Sequence, residues 1–519
     1  MKATSDFAID LFSHFSGNSP KSLQALLHAW ARLSGATPKK SDLLHAYRQL
    51  LAGHKISPNL TLENLLTTRQ VRSQSGILPF AVMTKPFMCP GECTYCPLEL
   101  GMPKSYLSDE PAAQRAKQLD FDPGAQVATR LRQLDLTGHI ADKIEIIIVG
   151  GTFSAYPDDY RREFIKSIFD ALNGVSSDSI EAAHRQNLTA RHRVVGLSIE
   201  TRPDWITPEE IIFLRSLGVT KIQLGVQAFD EKILSRIKRG HSLEAVALAT
   251  RNLRNSGFKI CYHFMPNLPG TTPQHDIDMA RVMYTDPRFI PDYVKIYPCT
   301  VIPGTQLHRQ FEAKEYIPYS DENLFKTLLE IKKITPKTIR IDRLVRDISK
   351  KWVISGPINT NVRQQLQQTL QQQGAKCHCV RCREIKQGFH SSDLILDQQL
   401  YTTQGGQEYF LSYIDDQERL YSLLRLRLPD KDQHMLFPEL QGAAIIREVH
   451  TYGSVVALDD QQRHLSQHHG LGKSLVSTAE QIASDHGYSK IAVISAIGTM
   501  PYYHKLGFRA EGFYMTKSL

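Results

Sequence analysis

Long apolar runs are missing from this chain of 519 residues, and none reaches the length that a membrane-spanning helix needs. The first residues, MKATSDFAIDLF, include no basic segment leading into an apolar core, so we expect neither a secretory leader nor a membrane anchor. Cysteine is scarce too, and most of the eight cysteines lie in two tight clusters. This usage favours metal ligation in a reducing compartment over a disulfide framework. We therefore expect a soluble, cytoplasmic protein.

An excess of acidic residues is also absent, since the formal net charge is +9. The basic residues cluster in two places along the chain. They are Arg69, Arg72 and Lys85 near the first cysteine cluster, and Lys337, Arg340, Arg343 and Arg346 within residues 332–351. Such stretches are either solvated faces or surfaces that bind the phosphates of a nucleic acid.

The pattern of apolar residues divides the chain into four parts. Residues 1–75 are polar and rich in helix formers, which predicts a small helical region. Residues 76–330 alternate short apolar runs with amphipathic segments, as expected of parallel strands and helices in a full or partial barrel with its site at the carboxyl ends of the strands. Residues 331–390 read as a basic linker, and residues 391–519 as a separate antiparallel-rich α+β domain.

One helix start within the barrel region is marked by its sequence. Thr207 is the predicted N-cap, Pro208 occupies the first turn, and Glu210 is placed to close a capping box. This motif supports the assignment of strands alternating with helices.

The first cysteine cluster, MCPGECTYCP, places Cys89, Cys93 and Cys96 in a Cys-x3-Cys-x2-Cys pattern. This spacing is typical of radical S-adenosylmethionine (SAM) enzymes, where three thiolates hold a 4Fe-4S cluster and one iron stays open for a small molecule. The alternative is a structural zinc knuckle, which needs a fourth cysteine or histidine close by. None follows within the next forty residues. Tyr95, just before the last cysteine, is also typical of the radical enzymes.

Residues at three predicted strand ends are candidates to bind SAM. They are Gly150, Gly151 and Thr152 after the first strand, Glu200 and Arg202 in SIETRPD, and Gln227 in QLGVQ. Glycine allows close backbone approach to the methionine end, whereas the charged pair suits the carboxylate, amine or ribose. A tight turn and a strand-end ion pair are the alternative interpretations.

The second cysteine cluster, CHCVRC, gathers Cys377, Cys379 and Cys382 within six residues. Three thiolates this close favour a structural zinc site over a second catalytic cluster. Zinc needs a fourth ligand. Cys299 is the first candidate, with His378 and His390 behind it.

A glycine-containing loop near the carboxyl end predicts an acyl-coenzyme A site. The segment QHHGLGK fits Q-x-x-G-x-G and precedes an apolar helix, so backbone N–H groups there suit a pyrophosphate. A strand and the pair Tyr502-Tyr503 follow, where acetyltransferases of the GNAT type place a tyrosine near the thioester sulfur; packing of a small core is the alternative. The candidate coenzyme residues are Gln467, Gly470, Leu471, Gly472 and Lys473.

Together these motifs resemble the catalytic subunit of Elongator in its bacterial single-chain form, from about residue 65 onward. VRSQSGILPFAVMTKPFMCPGECTYCP, VGGTF, SIETRPD, QLGVQ, HTYGSVV, QHHGLGKSL and PYYHKLGF occur in the family's order. The resemblance implies a partial TIM-type radical SAM barrel joined to a GNAT domain, and a tRNA uridine 5-carboxymethyltransferase that uses SAM and acetyl-CoA. Two departures are the short Cys89 to Cys93 spacing and Met500-Pro501 where an arginine is common.

The resemblance also implies how the two sites cooperate. A deoxyadenosyl radical removes hydrogen from the methyl of acetyl-CoA, the carbon radical adds to the wobble uracil, and hydrolysis of the thioester leaves a carboxymethyl group. The implied partners are a tRNA anticodon arm, held by the basic stretches and the N-terminal region, and an electron donor; a homodimer is kept open. The rivals are a protein lysine acetyltransferase with a scaffold barrel and a non-catalytic tRNA-binding subunit.

Overall fold

The computed structural model describes residues 9, 12, 13, 15, 19–34, 39–67, 77–139, 141–356, 361–385, 393–452 and 470–519. Predicted site residues Arg69, Arg72, His390 and Gln467 lie outside this set.

Three helices form a small N-terminal unit, as the sequence predicts: α1 (Pro20–Ser34), α2 (Lys40–Ala52) and α3 (Leu60–Leu66). Their leucines and Tyr47 pack into a separate apolar core. Arg48 anchors the unit to the next domain through an ion pair of 2.9 Å with Asp135.

Seven parallel strands build the half-barrel, in sheet order β1 to β7. They are β1 (Leu78–Met83), β2 (Lys143–Val149), β3 (Arg193–Thr201), β4 (Lys221–Gln227), β5 (Lys259–Phe264), β6 (Tyr293–Ile296) and β7 (Arg340–Leu344). The near-continuous apolar runs fit strands that are covered on both faces, and β4 is buried at every position. The sheet extends past the predicted boundary at residue 330, because β7 comes from the basic stretch.

Helices connect and cover these strands. They are α4 (Pro111–Gln118), α5 (Pro123–Leu136), α6 (Asp158–Asn173), α7 (Ile180–Asn187), α8 (Pro208–Ser216), α9 (Glu231–Arg236), α10 (Leu243–Asn255), α11 (Pro273–Thr285), α12 (Gln306–Glu312) and α13 (Asp321–Lys333). Thr207 caps α8 as predicted, accepting a bond of 3.2 Å from the N–H of Glu210. The predicted capping box is wrong, because the Glu210 carboxylate instead accepts from Arg161 at 2.6 Å.

Two helices join the barrel to the second sheet: α14 (Val362–Gln372) and α15 (Val380–Arg383). The glutamine-rich segment is the first of these, with Leu366 and Leu370 buried and most glutamines facing solvent. The second cysteine cluster surrounds α15.

The C-terminal domain is a mixed sheet of seven strands in the order β13-β14-β12-β11-β10-β9-β8. They are β8 (Ile395–Thr403), β9 (Gly406–Ile414), β10 (Leu420–Pro429), β11 (Ala443–Thr451), β12 (Lys490–Val493), β13 (Arg509–Glu511) and β14 (Tyr514–Ser518), with helices α16 (Leu471–Asp485) and α17 (Met500–Lys505). Only β11 and β12 pair in parallel among these described strands. The predicted α/β fold class, with two separate sheets, is confirmed.

The two sheets share one core and a buried ion network. Arg447 of β11 donates to both oxygens of Asp292, at 2.5 and 2.8 Å, and to Glu408 at 2.9 Å. Arg425 lies beside Asp292 and binds Glu448 at 2.9 Å. Burial raises the pKa of Asp292, but the guanidinium groups outweigh it and hold that pKa well below its ordinary value. The domains are therefore fixed to each other by charges that water cannot reach.

None of the helices in the described ranges is long and apolar enough to cross a bilayer.

Candidate active site

The three cysteines of the first cluster lie on the loop that follows β1. Cys89, Cys93 and Cys96 face a cavity of about 770 Å³ that runs along the inner face of the half-barrel. The loop lies at the carboxyl ends of the strands, beside the turn after β2 and the end of β4. The fold therefore delivers three thiols to the edge where barrel enzymes place their chemistry.

The surroundings of these thiols fit a cationic metal cluster. Arg239 donates to the Cys93 sulfur at 3.5 Å, and the Thr152 hydroxyl lies 3.8 Å from the Cys89 sulfur. Burial, together with the neighbouring thiols, raises the pKa of Cys96 to about 12. Three thiolates that face one cavity repel one another unless a cation is shared between them, which iron supplies.

Gly91 lets Arg202 approach the cysteine loop. A Cβ at this glycine would lie 2.7 Å from a terminal nitrogen of Arg202 and 3.7 Å from the sulfurs of Cys89 and Cys93. The guanidinium also binds the Asp204 carboxylate at 2.8 and 2.9 Å and the Gly240 carbonyl at 3.0 Å. Arg202, a predicted SAM contact, thus lies against the cysteine loop and is held there by Asp204 and Gly240.

The predicted glycine turn has a steric cause. Gly150 has φ 137°, and a Cβ there would lie 2.0 Å from the Thr84 hydroxyl, so no other residue fits without movement. Gly151 follows with φ 96° and lines the cavity beside Thr152. The turn brings the Thr152 hydroxyl next to the sulfur of Cys89 and places Gly151 on the cavity wall, where a small-molecule ligand of the open iron would lie.

Glu200 and Gln227 also face the cavity. Glu200 accepts from the Tyr106 hydroxyl at 2.6 Å and from Lys295 at 3.4 Å. Burial, together with Glu200, raises the pKa of Tyr106 well above its ordinary value, so this phenol keeps its proton. Gln227 has φ 80° after an irregularity in β4, which turns the strand end toward the cavity.

Cations outnumber carboxylates on the cavity wall. The basic side chains are Lys104, Arg115, Arg130, Arg202, Lys221, Arg239, Lys259, Lys295, Arg340, Arg343, Arg346 and Arg381. The acidic ones are Glu110, Glu145, Glu200, Asp342, Asp347 and Glu448. This excess of positive charge suits a polyanionic ligand.

The predicted basic stretch therefore contributes to the cavity and is not one solvated face. Arg340 binds Glu384 at 2.7 Å, and Arg346 binds Glu110 at 2.7 Å. Lys337 instead pairs with Glu418 of the C-terminal domain. Lys85 is exposed near the cysteine loop, with its ammonium 4.6 Å from the Tyr160 ring.

The second cysteine cluster is compact and closed. The sulfurs of Cys377, Cys379 and Cys382 lie within 4.8 Å of one another, and the first two side chains are buried. The buried Lys332 donates to the Cys382 sulfur at 3.5 Å. Hydrogen bonds from the other two thiols lower the pKa of Cys379 well below its ordinary value.

Neither described candidate for a fourth ligand belongs to this group. Cys299 follows β6, and its thiol interacts with Tyr316 and lies near Asp276, so its prediction as the fourth ligand is corrected. His378 faces Glu418, with 3.7 Å between Nδ1 and a carboxylate oxygen. Lys332 contacts this site through Cys382, and no local pattern in the sequence pointed to it.

The predicted acyl site lies at the start of α16. Gly470 precedes this helix with φ 69°, Leu471 is half-buried, and Lys473 is exposed. A Cβ on Gly472 would lie 3.0 Å from the Tyr502 hydroxyl and 3.6 Å from the Thr451 hydroxyl. The parallel pairing of β11 with β12 ends at Ile446 and Val493, while β11 continues to Thr451. The two strands thus stop pairing before the end of β11, beside the helix start.

The two predicted tyrosines separate into different environments. Tyr502 is 41% exposed and reaches the start of α16, whereas Tyr503 is 7% exposed and packs with Phe508 in the domain core. Burial raises the pKa of both phenols. Only Tyr502 of the pair is placed for chemistry at this loop.

Strand β11 borders both sites, because its side chains alternate. Val449 and Thr451 face Gly472, and Glu448, His450 and Tyr452 face the barrel cavity. These three lie near the amino ends of β6 and β7, so the cysteine loop and β11 occupy opposite ends of one cavity. The seven residues of β4 span about 20 Å between those ends. His450 lies in HTYGSVV, a landmark of the family resemblance, but no local pattern in the sequence predicts a role for it.

Comparisons with known proteins agree with this arrangement. Residues 85–283 match the Radical SAM superfamily, and residues 291–372 match the Radical SAM C-terminal domain. The tRNA uridine(34) acetyltransferase of Dehalococcoides mccartyi (strain CBDB1) is 41% identical over 455 residues, which cover 86% of this chain and 99% of that protein. Elongator complex protein 3 of Homo sapiens is 37% identical, over 88% of this chain and 86% of that protein. The chain belongs to the Elongator complex protein 3 family.

A solved structure of this family has the same fold. The archaeal Methanocaldococcus infernus Elp3 with N-terminus deletion (1-46) is 36% identical and superposes with a TM-score of 0.76, over 86% of this chain and all of that chain. Membership of the Radical SAM superfamily implies a 4Fe-4S cluster and SAM, and the thiols at the cavity fit that pair.

Proposed function

We propose that the protein modifies carbon 5 of the wobble uridine of tRNA, leaving a carboxymethyl group derived from acetyl-CoA. The observation that carries the proposal is the single cavity that joins the cysteine loop to β11. Relatives named tRNA uridine(34) acetyltransferase support the uridine as the target. When bound, the cluster and SAM supply the one-electron chemistry that activates a methyl group.

The chain's own residues prepare the cavity for this reaction. Gly151 and Thr152 present backbone and a hydroxyl beside Cys89, and Glu200 and Gln227 add polar groups at the strand ends. Reactive intermediates require that water and stray hydrogen donors be excluded, so the bound cofactors and the tRNA have to fill this open cavity during the reaction.

Acetyl-CoA is proposed to bind at the start of α16, with its acyl end near Tyr502 and Thr451. The Tyr502 phenol keeps its proton and is placed to donate it to a leaving thiolate. An acyl arm that enters here must then extend along the half-barrel toward the cysteine loop.

The cationic wall supports a tRNA anticodon arm as the partner, because unpaired bases can enter a cavity while phosphates pair with cations. We assign Arg340, Arg343 and Arg346 to this role with Lys85 at the rim. Lys337 is a weaker candidate because it does not line the cavity, unlike the three arginines, and pairs with Glu418 of the C-terminal domain. Arg69 and Arg72 stay predictions.

Zinc is proposed for the second cysteine cluster, as a structural ion that ties β7 and α13 to the linker. The tight sulfur spacing supports it, since a tetrahedral zinc ion with Zn–S distances of about 2.3 Å needs its thiolates roughly 3.8 Å apart. Three thiolates around zinc carry a net negative charge, which the ammonium of Lys332 balances.

The test is turnover by the full-length chain, reconstituted under anaerobic conditions with SAM and acetyl-CoA, with and without tRNA. We expect 5-carboxymethyluridine in the digested tRNA, and its loss in Cys93→Ala and Tyr502→Phe. Tyr503→Phe is the matched control, because it removes a hydroxyl from the core and should keep activity.

Two outcomes would favour the rival functions. Acetyl-CoA turnover that needs no tRNA and survives Cys93→Ala would favour a lysine acetyltransferase. Binding of tRNA without consumption of SAM or acetyl-CoA would favour a non-catalytic subunit.

A further inference from the structure

Three side chains at the end of β11 face the cavity, namely Glu448 and His450 of the strand and Tyr452 just after it, and His450 is the one with a ring nitrogen that lacks a partner among the described residues. Glu448 accepts from Arg425 at 2.9 Å and from the Tyr293 hydroxyl. Tyr452 accepts from Arg340 at 3.3 Å. The Nε2 atom of His450 is buried and has no hydrogen-bond partner among the described residues. A buried ring nitrogen without a partner is costly whichever tautomer the imidazole adopts, so it points to a group that binds there during turnover.

The imidazole is held neutral by its surroundings. Burial and the cations Arg340 and Lys259 lower its pKa, the carboxylates Glu448 and Glu384 oppose them, and the net result is a pKa of about 4. The Tyr452 ring packs against it, with 4.2 Å between centroids, and fixes its orientation. Near neutral pH such an imidazole can accept a proton.

The position of His450 places it next to the acyl end of the proposed coenzyme site. Its chain neighbour Thr451 faces Gly472 on the opposite side of the strand, where the Tyr502 hydroxyl also lies. A thioester held at the edge of β11 would therefore have the Tyr502 phenol on one side and the His450 imidazole on the other.

We propose that His450 is the general base for the water that cleaves the acetyl thioester; this inference rests on the proposed function. Nε2 takes a proton from water, the water oxygen bonds to the carbonyl carbon, and the carbon–sulfur bond breaks. The thiolate leaves with the electron pair and takes the proton of Tyr502, which the imidazolium then replaces. The products are a carboxylate, a thiol and one released proton, and nothing is oxidised or reduced.

This assignment separates two events along the cavity. Hydrogen abstraction requires the cysteine loop, whereas thioester cleavage requires β11 at the far end, so the acyl arm has to move along the cavity between the two events because its methyl and carbonyl carbons are bonded to each other. A change at His450 should therefore slow the release of coenzyme A without slowing the formation of 5'-deoxyadenosine.

The experiment uses His450→Gln in the full-length, anaerobically reconstituted protein with SAM, acetyl-CoA and tRNA. We expect the release of free coenzyme A thiol to fall by about 100-fold or more, the range of general-base effects. The formation of 5'-deoxyadenosine should stay at the wild-type level, and tRNA linked to coenzyme A through a thioester should accumulate. His434→Gln, an exposed site in the same domain, is the matched control and should behave as wild type.

His450→Ala provides a second measurement, whose expected result would not be seen if His450 had only a structural role. Added imidazole should restore its thiol release, because the small base can occupy the vacated space. Unchanged thiol release in His450→Gln would overturn the proposal, as would a parallel loss of thiol release and 5'-deoxyadenosine. A wild-type protein that releases thiol but leaves the uridine unmodified would instead refute the proposed function. The role of His450 in thioester cleavage could still be tested, by comparing thiol release in the variants and the wild type.

Discussion

The two cysteine clusters use the same number of thiols for opposite purposes. Cys89, Cys93 and Cys96 are half-buried on a loop at the end of an open cavity. Cys377, Cys379 and Cys382 are packed within 4.8 Å of one another, mostly buried, against a buried ammonium. The first arrangement leaves room for a ligand beyond the protein, and the second leaves none.

The pKa values of the cysteines also differ between the two clusters. Burial and the neighbouring thiols raise the pKa of Cys96 to about 12, because a thiolate there would be poorly solvated and would be repelled by neighbouring thiolates. In the second cluster, hydrogen bonds from the other two thiols lower the pKa of Cys379 well below its ordinary value. On the roles proposed for them, the first cluster depends on its cofactor for charge balance more than the second, where the Lys332 ammonium faces the Cys382 sulfur.

The largest expected effect comes from Cys93→Ser. Iron and sulfide content and 5'-deoxyadenosine formation should fall to background, because a hydroxyl is a poor ligand for iron at this position. Zinc content and the thermal midpoint should stay near those of the wild type. If zinc is lost together with iron, the two clusters are not independent and the comparison fails.

Cys379→Ser should have the opposite profile. Loss of the metal removes a cross-link between β7, α13 and the linker, which should lower the free energy of unfolding by roughly 3 kcal/mol. Measurements are zinc by mass spectrometry and unfolding in denaturant. Iron content after reconstitution should be kept; a variant that keeps its zinc and its stability would contradict a structural metal site.

Lys332→Met should weaken zinc binding by about 10- to 100-fold, the usual effect of losing a partner of a metal ligand. The cause is the loss of the one ammonium that faces the Cys382 sulfur. Competition with a chelator measures the affinity. Lys333→Met is the control, since Lys333 pairs with Glu330 on the same helix and lies outside the cluster.

The smallest effect is expected for Arg239→Gln. Loss of the bond to the Cys93 sulfur removes about 1 kcal/mol of preference for the reduced cluster, which lowers its reduction potential by roughly 40 mV. Redox titration followed by electron paramagnetic resonance checks the shift. An unchanged potential would mean that Arg239 only supports the backbone at Gly225, which it also contacts.

The sequence predicted those parts of the two sites whose residues lie close together in the chain. The three ligands of each cluster lie within eight residues, and the turn at Gly150 and Gly151 follows its strand directly. Both sheets could be predicted as well, because period and length of the apolar runs reflect the faces that each strand buries.

The remaining features depend on contacts between distant segments. Lys332 reaches the second cluster from a helix about 50 residues away in the chain, and Arg239 reaches Cys93 across 146 residues. Cys299 was a reasonable fourth ligand by residue type, but packing directs its thiol toward Tyr316. No spacing rule predicts which buried polar atom lacks a hydrogen-bond partner, so only the three-dimensional structure drew attention to His450.

The buried ions at the domain interface have a consequence for how the chain is made. Asp292 belongs to the barrel, yet Arg425 and Arg447, which neutralise it, are synthesised more than 130 residues later. A ribosome that has completed only the barrel holds a protein with an unmatched acidic group and an uncovered apolar edge. We therefore expect the barrel alone to depend on chaperones, and gene truncations before β11 to yield insoluble protein. We therefore expect the barrel and the C-terminal domain to fold as one unit.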